Sequence, residues 1–264
     1  MNALAVESPS MNPAAAPPAL AAYWAETRCE FLRALRNPAL AVPILLLPVG
    51  LYALFAAVIF GEAIAKDPSV GIFMFVSFAI MAVTMPALFS IGAGLAMERE
   101  MGLLRLKRAQ PAPAGSWLIA KIASGLALGV VSYVPMLIVA LATGKLPLEP
   151  LRIVAMSAVL LAGAIPFCAL GLMVGTLASG SAAPGYANLL YLPGCYLSGM
   201  FFPLPASMHW QVPVWPQFHV GQLAMHAAGA AKFEFIPPQM AVAALVGFTT
   251  LFSAVAIWRL ARKG

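Results

Sequence analysis

The residues best placed to do chemistry lie in one stretch, MEREMGLLRLKRAQPAPAGSWLIAK, from Met97 to Lys121. It is the one dense run of charge between the two ends of a 264-residue chain that is 62% hydrophobic and 9% charged. Glu98-Arg99-Glu100-Met101-Gly102 opens it, and Arg105, Lys107 and Arg108 follow. Acidic residues early and basic residues late suit the macrodipole of a short helix, which Pro111 would stop. Leu103, Leu104 and Leu106 give that helix an apolar side able to enter a groove on a partner. From charge alone, a solvated loop that merely sets topology fits equally well.

Other candidates are weaker. His219, Gln222 and His226 share a helical face by their i, i+3, i+7 spacing, near Met208, His209 and Met225. Copper binding competes there with a simple polar face on a re-entrant helix, and we expect no metal. Cys29, Cys168 and Cys195 are far apart and lack CxxC spacing, so small apolar fillers are the expected reading. There is no HExxH, no paired Asp and no Ser–His pair at membrane depth, which disfavours an intramembrane enzyme. No Asp, Glu or Arg lies deep in an apolar stretch, which disfavours an ion-coupled carrier. No GxxxxGK[ST] phosphate loop occurs, so this chain does not bind ATP by that route.

The elements that must position these residues are membrane spans. The apolar stretches run to roughly 20 residues or more, the length needed to cross about 30 Å of hydrocarbon. We expect an all-α membrane protein with six spans, at 38–60, 70–97, 116–143, 153–178, 186–202 and 238–260. Pro43 and Pro48 should kink the first span, and Pro193-Gly194 should interrupt the fifth. Residues 1–20 read as a disordered cytoplasmic tail, 21–37 as an interfacial helix, and 38–264 as the transmembrane domain. Lys121, near the start of span 3, is expected to snorkel. GxxxG pairs at Gly125/Gly129 and Gly171/Gly175 allow close helix approach, within one subunit.

Lys and Arg set the orientation. Arg28, Arg33, Arg36, Arg99, Arg105, Lys107, Arg108, Lys121, Arg259, Arg262 and Lys263 fall on one side; Lys66, Lys145, Arg152 and Lys232 fall on the other. The positive-inside rule then puts both termini and the 97–121 loop in the cytoplasm. The net charge of +6 follows from this topology, and no nucleic-acid partner is expected.

The central stretch resembles the ABC-2 type permeases, the membrane subunits of one class of ABC transporter. Their pattern of E-R-E-x-G after span 2, a basic run, a proline break and a lysine near the start of span 3 is matched by Glu98, Arg99, Glu100, Gly102, Pro111 and Lys121. Ser198–Leu204, continued by Met208, Pro216 and His219, is similar to the family's run after span 5. Leu103 stands where threonine is common, and His209 where proline is common. The resemblance covers nearly the whole chain except the first twenty residues.

It implies a homodimer in the cytoplasmic (inner) membrane, exporting a substrate with ATP and Mg held on a separate ATP-binding subunit. No cofactor is then expected in this chain, and it is not itself an enzyme. Glu98, Arg99, Glu100, Gly102, Leu103, Leu104, Arg105, Lys107 and Arg108 would form the coupling element received by that ATPase. Pro203, Met208, Trp210, Pro216 and His219 would belong to an extracellular gate. The Phe/Met stripe of span 2 reads either as packing or as an apolar substrate path. That path would comprise Phe75, Phe78, Met81 and Met85, with Asn188 and Tyr191. A membrane scaffold, an enzyme or an ion-coupled carrier without an ATPase partner is the alternative.

Overall fold

The computed structural model describes residues 19–263, apart from 110–112, 114 and 203. Among these residues all regular structure is helical. The proposed tail, except Ala19 and Leu20, lies outside them, as do Pro111 and Pro203.

The chain order is α1 (Ala19–Leu35), α2 (Pro38–Ala53), α3 (Gly61–Lys66), α4 (Pro68–Glu100), α5 (Leu103–Ala109), α6 (Ser116–Ala142), α7 (Pro150–Ala162) and α8 (Ile165–Leu177). α9 (Ala183–Leu197), α10 (Pro216–Ala228) and α11 (Pro238–Lys263) complete it. A π-helical turn, Leu54–Ile59, extends α2, and 3-10 turns cover Ala206–Val214 and Ala231–Phe233.

Among the described residues, four stretches are long and apolar enough to cross a membrane: Pro68–Glu100, Ser116–Ala142, Pro150–Leu177 and Pro238–Arg262. The chain is a multi-pass membrane protein. The other two expected spans are shorter helices. α2 carries Pro43 and Pro48 inside it. α9 has 15 residues, a rise of only about 22 Å. Pro193 and Gly194, expected to interrupt the fifth span, lie within α9. The chain turns instead near Gly199, whose φ of 72° is open to glycine at little cost. The fourth span is two helices, broken at Gly163–Ala164. The break admits α10, because a Cβ on Gly163 would collide with Val220.

α4 is the axis of the bundle. It has 33 residues, and 94% of its most apolar window is buried. At 1.5 Å per residue it is about 50 Å long, so its ends outreach the hydrocarbon. In lipid there is little hydrophobic drive between helices, so close backbone contact through small residues takes over. Both GxxxG pairs serve this purpose, from different helices of the same chain. A Cβ on Gly171 would come 2.8 Å from the Leu88 carbonyl, and one on Gly175 would come 2.8 Å from Leu95 Cβ. On α6, a Cβ on Gly125 would lie 3.3 Å from Ala87 Cα and one on Gly129 would lie 3.1 Å from the Val83 carbonyl. α6 and α8 therefore clasp α4.

Candidate functional site

The last turn of α4 carries Glu98, Arg99 and Glu100. Successive helical residues are rotated by about 100°, so three in a row fan out to three neighbours. Glu98 turns to α1 and α6, where Arg33 and Lys121 meet its Oε1. Arg99 donates from Nη1 to the Gly175 carbonyl at 2.8 Å, near the C-terminal end of α8, where a cation suits the dipole. Glu100 Oε2 accepts the Gly180 backbone N–H at 2.9 Å, in the turn before α9. One short motif thus joins α1, α6, α8 and the turn before α9 to the end of α4.

The helix boundary differs from the sequence expectation. Glu98 and Glu100 do not open the short helix; they close α4, and α5 begins at Leu103 after a turn at Gly102, φ 71°. Carboxylates at a helix C-terminus face an unfavourable dipole. The cations gathered around them offset it.

Those cations form a cluster with three carboxylates, in which Glu98 is met at Oε1 while its Oε2 is buried without a partner in the chain. Lys121 Nζ lies 2.9 Å from both Glu98 Oε1 and Glu30 Oε2. Lys107 Nζ lies 2.6 Å from Glu30, 3.1 Å from Glu26 and 3.6 Å from Glu98. With Arg33, three positive groups balance three negative ones, and that balance makes the burial tolerable. Glu98 is 0% exposed and Lys121 is 3% exposed. Lys121 therefore does not snorkel to the surface, because carboxylates from α1 and α4 reach it instead. Burial alone would raise the Glu30 carboxyl, but Lys121 and Lys107 outweigh it and hold the pKa at about 2. Burial would lower the Lys107 ammonium, but Glu30 above all keeps it higher than usual.

The cluster divides the expected coupling residues into two sets. Glu98 and Leu104 are buried, and Lys107 is turned toward α1. Gly102 and Arg105 are exposed, as are Met101 and Leu106; Leu103 is half-buried, and Arg108 lies on α5. Beside this exposed set is a cavity of about 370 Å³, lined by Arg99, Glu100, Gly102, Arg105, Leu177 and Ser179 among others. The α1 contribution of Glu26, Glu30 and Arg33 was not assigned to the site from sequence. Their i, i+4 and i+3 spacing marks one helical face, but nothing local says what that face meets.

The opposite end of α4 is built differently. α10 starts with Pro216, which is buried, and His219 is buried one turn on. The His219 Nε2–H donates to the Pro213 carbonyl at 2.8 Å. His226 is exposed and meets Glu234 at 2.9 Å. The two histidines therefore turn to different partners. Among the described residues no group of three His, Cys, Asp or Glu is placed to hold a metal. Trp210 is exposed and Met208 half-buried on the preceding 3-10 turn. Phe75 and Phe78 pack around Tyr52, and Met81 and Met85 are also buried in α4. Tyr191 is buried with its hydroxyl 2.7 Å from Thr84 Oγ1. Asn188 faces outward with the exposed Tyr186, Leu189, Leu190 and Leu192.

The fold and this junction define a helical membrane protein whose loop end is tied into a charged hub. The family model for the ABC-2 type transporter matches residues 21–226, well over half of the chain, and the chain belongs to that family. It is also similar to the Bacillus subtilis (strain 168) protein named "Putative transport permease YvfS", 24% identical over 195 residues, covering 73% of this chain and 79% of the relative. The chain is thus the membrane subunit of an ABC transporter.

Proposed function

We propose that this permease exports a hydrophobic or amphiphilic substrate across the cytoplasmic membrane as a homodimer. ATP would be hydrolysed, with Mg, on a separate ATP-binding subunit. Six passes are proposed, with α2, α4, α6, α7–α8, α9 and α11 as spans and α1 lying at the cytoplasmic surface. The excess of Lys and Arg at the α4–α5 end supports cytoplasmic placement of that end and of both termini. The outward-facing apolar side of α9 supports contact with a second copy or with lipid.

One observation carries the reading. α5 keeps Met101, Gly102, Arg105 and Leu106 exposed nearby, while its other side is bound through Lys107 and the end of α4 to α1, α6, α8 and α9. An ATPase gripping the exposed side would move four helices through one hub. Closure of the ATPase pair would push α5, α4 and α9 would shift, and the gate around Pro203, Met208, Trp210, Pro216 and His219 would open outward. The path would run beside Phe75, Phe78, Met81 and Met85 of α4 and Asn188 and Tyr191 of α9.

The test uses the exposed residues. Arg105→Glu with Leu106→Asp should leave the purified permease folded, by its thermal unfolding midpoint, yet abolish co-purification with the cognate ATPase and substrate-stimulated ATP hydrolysis. A fully coupled complex from that variant would sink the docking role of α5.

A further inference from the structure

A second cavity lies at the other end of α4, within a single chain. Its volume is about 450 Å³, and it sits between α4, the end of α9, α10 and the 231–236 segment. Its walls are mainly apolar, with Phe73, Val76, Ile80, Met225 and Phe233 among them. Lys232 and Phe235 of the lining are exposed, whereas Val76 and Ile80 are buried. The mouth is therefore at the 231–236 segment and the floor is on α4.

The polar side chains of the wall are already engaged within the chain. Gln222 Oε1 accepts from the backbone N–H of Phe235 and of Ile236, and its Nε2 donates to the Phe233 carbonyl at 3.0 Å. Ser77 donates to backbone carbonyls of Phe73 and Met200, and Ser198 to that of Cys195. Gln217 packs its amide against Gly194 of α9, where its Oε1 is closed off. A water needs about two to four polar partners and finds few here. An empty void would forfeit the dispersion contacts of its lining. An apolar body avoids both costs, and the volume takes much of one acyl chain but not two.

Depth says where such a body comes from. α4 is about 50 Å long against about 30 Å of hydrocarbon, so its first turns stand at headgroup level. Asp67 caps that end, accepting the Ser69 N–H at 3.0 Å. Phe73 and Ile80 lie two turns apart, about 11 Å of rise, so the cavity runs from headgroup level into the acyl layer.

Charge at the mouth says what the head must be. Lys232 is paired with Asp67 at 2.7 Å, and both are solvent-accessible. An exposed pair of this kind is weak and exchanges partners readily. A purely anionic head would gain the lysine but face the carboxylate. A head that carries both signs can meet both residues.

We propose that the cavity holds one acyl chain of a zwitterionic phospholipid of the phosphatidylethanolamine class, with its phosphate at Lys232 and its ammonium at Asp67. In the proposed orientation the lipid belongs to the outer leaflet. The site is separate from the α5 junction and does not rest on the export reading.

The test is photolabelling of the full-length permease in phosphatidylglycerol nanodiscs. Trace phosphatidylethanolamine and trace phosphatidylglycerol, each with the same mid-chain diazirine, are compared, and crosslinks are mapped by mass spectrometry. Labelling of Ile80 and Met225 is normalised to the outward-facing Val246 on α11, which cancels differences in the surrounding bilayer. The ethanolamine probe should label the cavity at least about threefold more than the glycerol probe, the scale of one exposed ion pair. Gly221→Phe, which fills the space beside Ile80, should remove cavity labelling by both. Asp67→Asn with Lys232→Gln neutralises the mouth while keeping a capping side chain; it lies away from the packed wall and should bring the two probes level. An unlabelled cavity would overturn the proposal, as would equal labelling by the two probes in the unaltered protein. So would labelling that survives Gly221→Phe in a folded variant, or an ethanolamine preference that survives neutralisation of the mouth.

Discussion

The two ends of α4 solve the same problem with opposite chemistry. Each must bury polar groups where helices converge. At the α5 end the buried groups are full charges, matched in number and drawn from α1, α4, α5 and α6. At the α10 end they are amides and an imidazole: Gln222 is engaged through both Oε1 and Nε2, while Gln217 Oε1 and His219 Nδ1 have no partner in the chain. Charge gives a strong grip where its partners are present, although Glu98 Oε2 has none in the chain. Neutral amides grip less, and the cavity of about 450 Å³ lies beside Gln217 and Gln222. Both ends thus hold a buried acceptor without a partner in the chain, and they differ in the charge around it.

Substitutions at the two ends should differ most where charge is removed. Glu98→Gln keeps the shape but leaves Lys121 and its neighbours in excess by one charge. It should cost about 3–5 kcal/mol, read as a large fall in the thermal unfolding midpoint. Adding Lys121→Met should restore much of the loss, because the remaining charges again balance. If the double variant is no better than the single, the cluster is not a closed balance.

Gln222→Leu comes next. It strands the Phe235 and Ile236 N–H groups and the Phe233 carbonyl, and should cost about 1–3 kcal/mol. Hydrogen exchange should show the 231–236 segment loosening while α5 is unchanged. Protection lost at both ends alike would show the two regions to be one cooperative unit.

Acid should act on the charged end through Glu30. The Glu30 carboxyl is depressed from its ordinary 4.5 to about 2. A depressed carboxyl contributes stability that is fully present above the ordinary value and is lost as pH falls through the folded one. Faster hydrogen exchange in α1 is therefore expected as pH drops from 4.5 toward 2, with α10 unaffected by this group. Glu30→Gln should remove much of that response. The smallest effect belongs to Gln217→Leu, which removes an acceptor without a partner in the chain and one long donor contact, 3.4 Å to the Tyr191 carbonyl, and should lower the unfolding midpoint only slightly. A large loss there would mean that Oε1 has a strong partner.

The spans were the most legible part. Ser116–Ala142 and Pro238–Lys263 fall within a few residues of the expected 116–143 and 238–260, because a run of apolar residues is a local property with a length set by the bilayer. The break at Gly163 and the continuity through Pro193-Gly194 were not legible. Both depend on α10, whose Val220 and Gln217 pack against Gly163 and Gly194. A glycine's role is set by what approaches it, and that is not written nearby in the chain.

The motif was legible as a motif but not as a geometry. Its charge and spacing marked Glu98–Arg108 as the centre of the chain, and the family match confirms the class of protein. Only the tertiary structure decided that Glu98 faces inward while Arg105 and Leu106 face outward. Glu30 and Lys121 are separated by 91 positions, and no periodicity within either helix encodes their meeting. The sequence by itself determined a helical membrane protein with one dense charged loop, acidic at its start and basic after it. Which charges are buried and which face of α5 is left exposed are consequences of packing α1, α6 and α8 around α4. Those depend on contacts between residues distant in the chain, where burial converts a surface charge into a structural one.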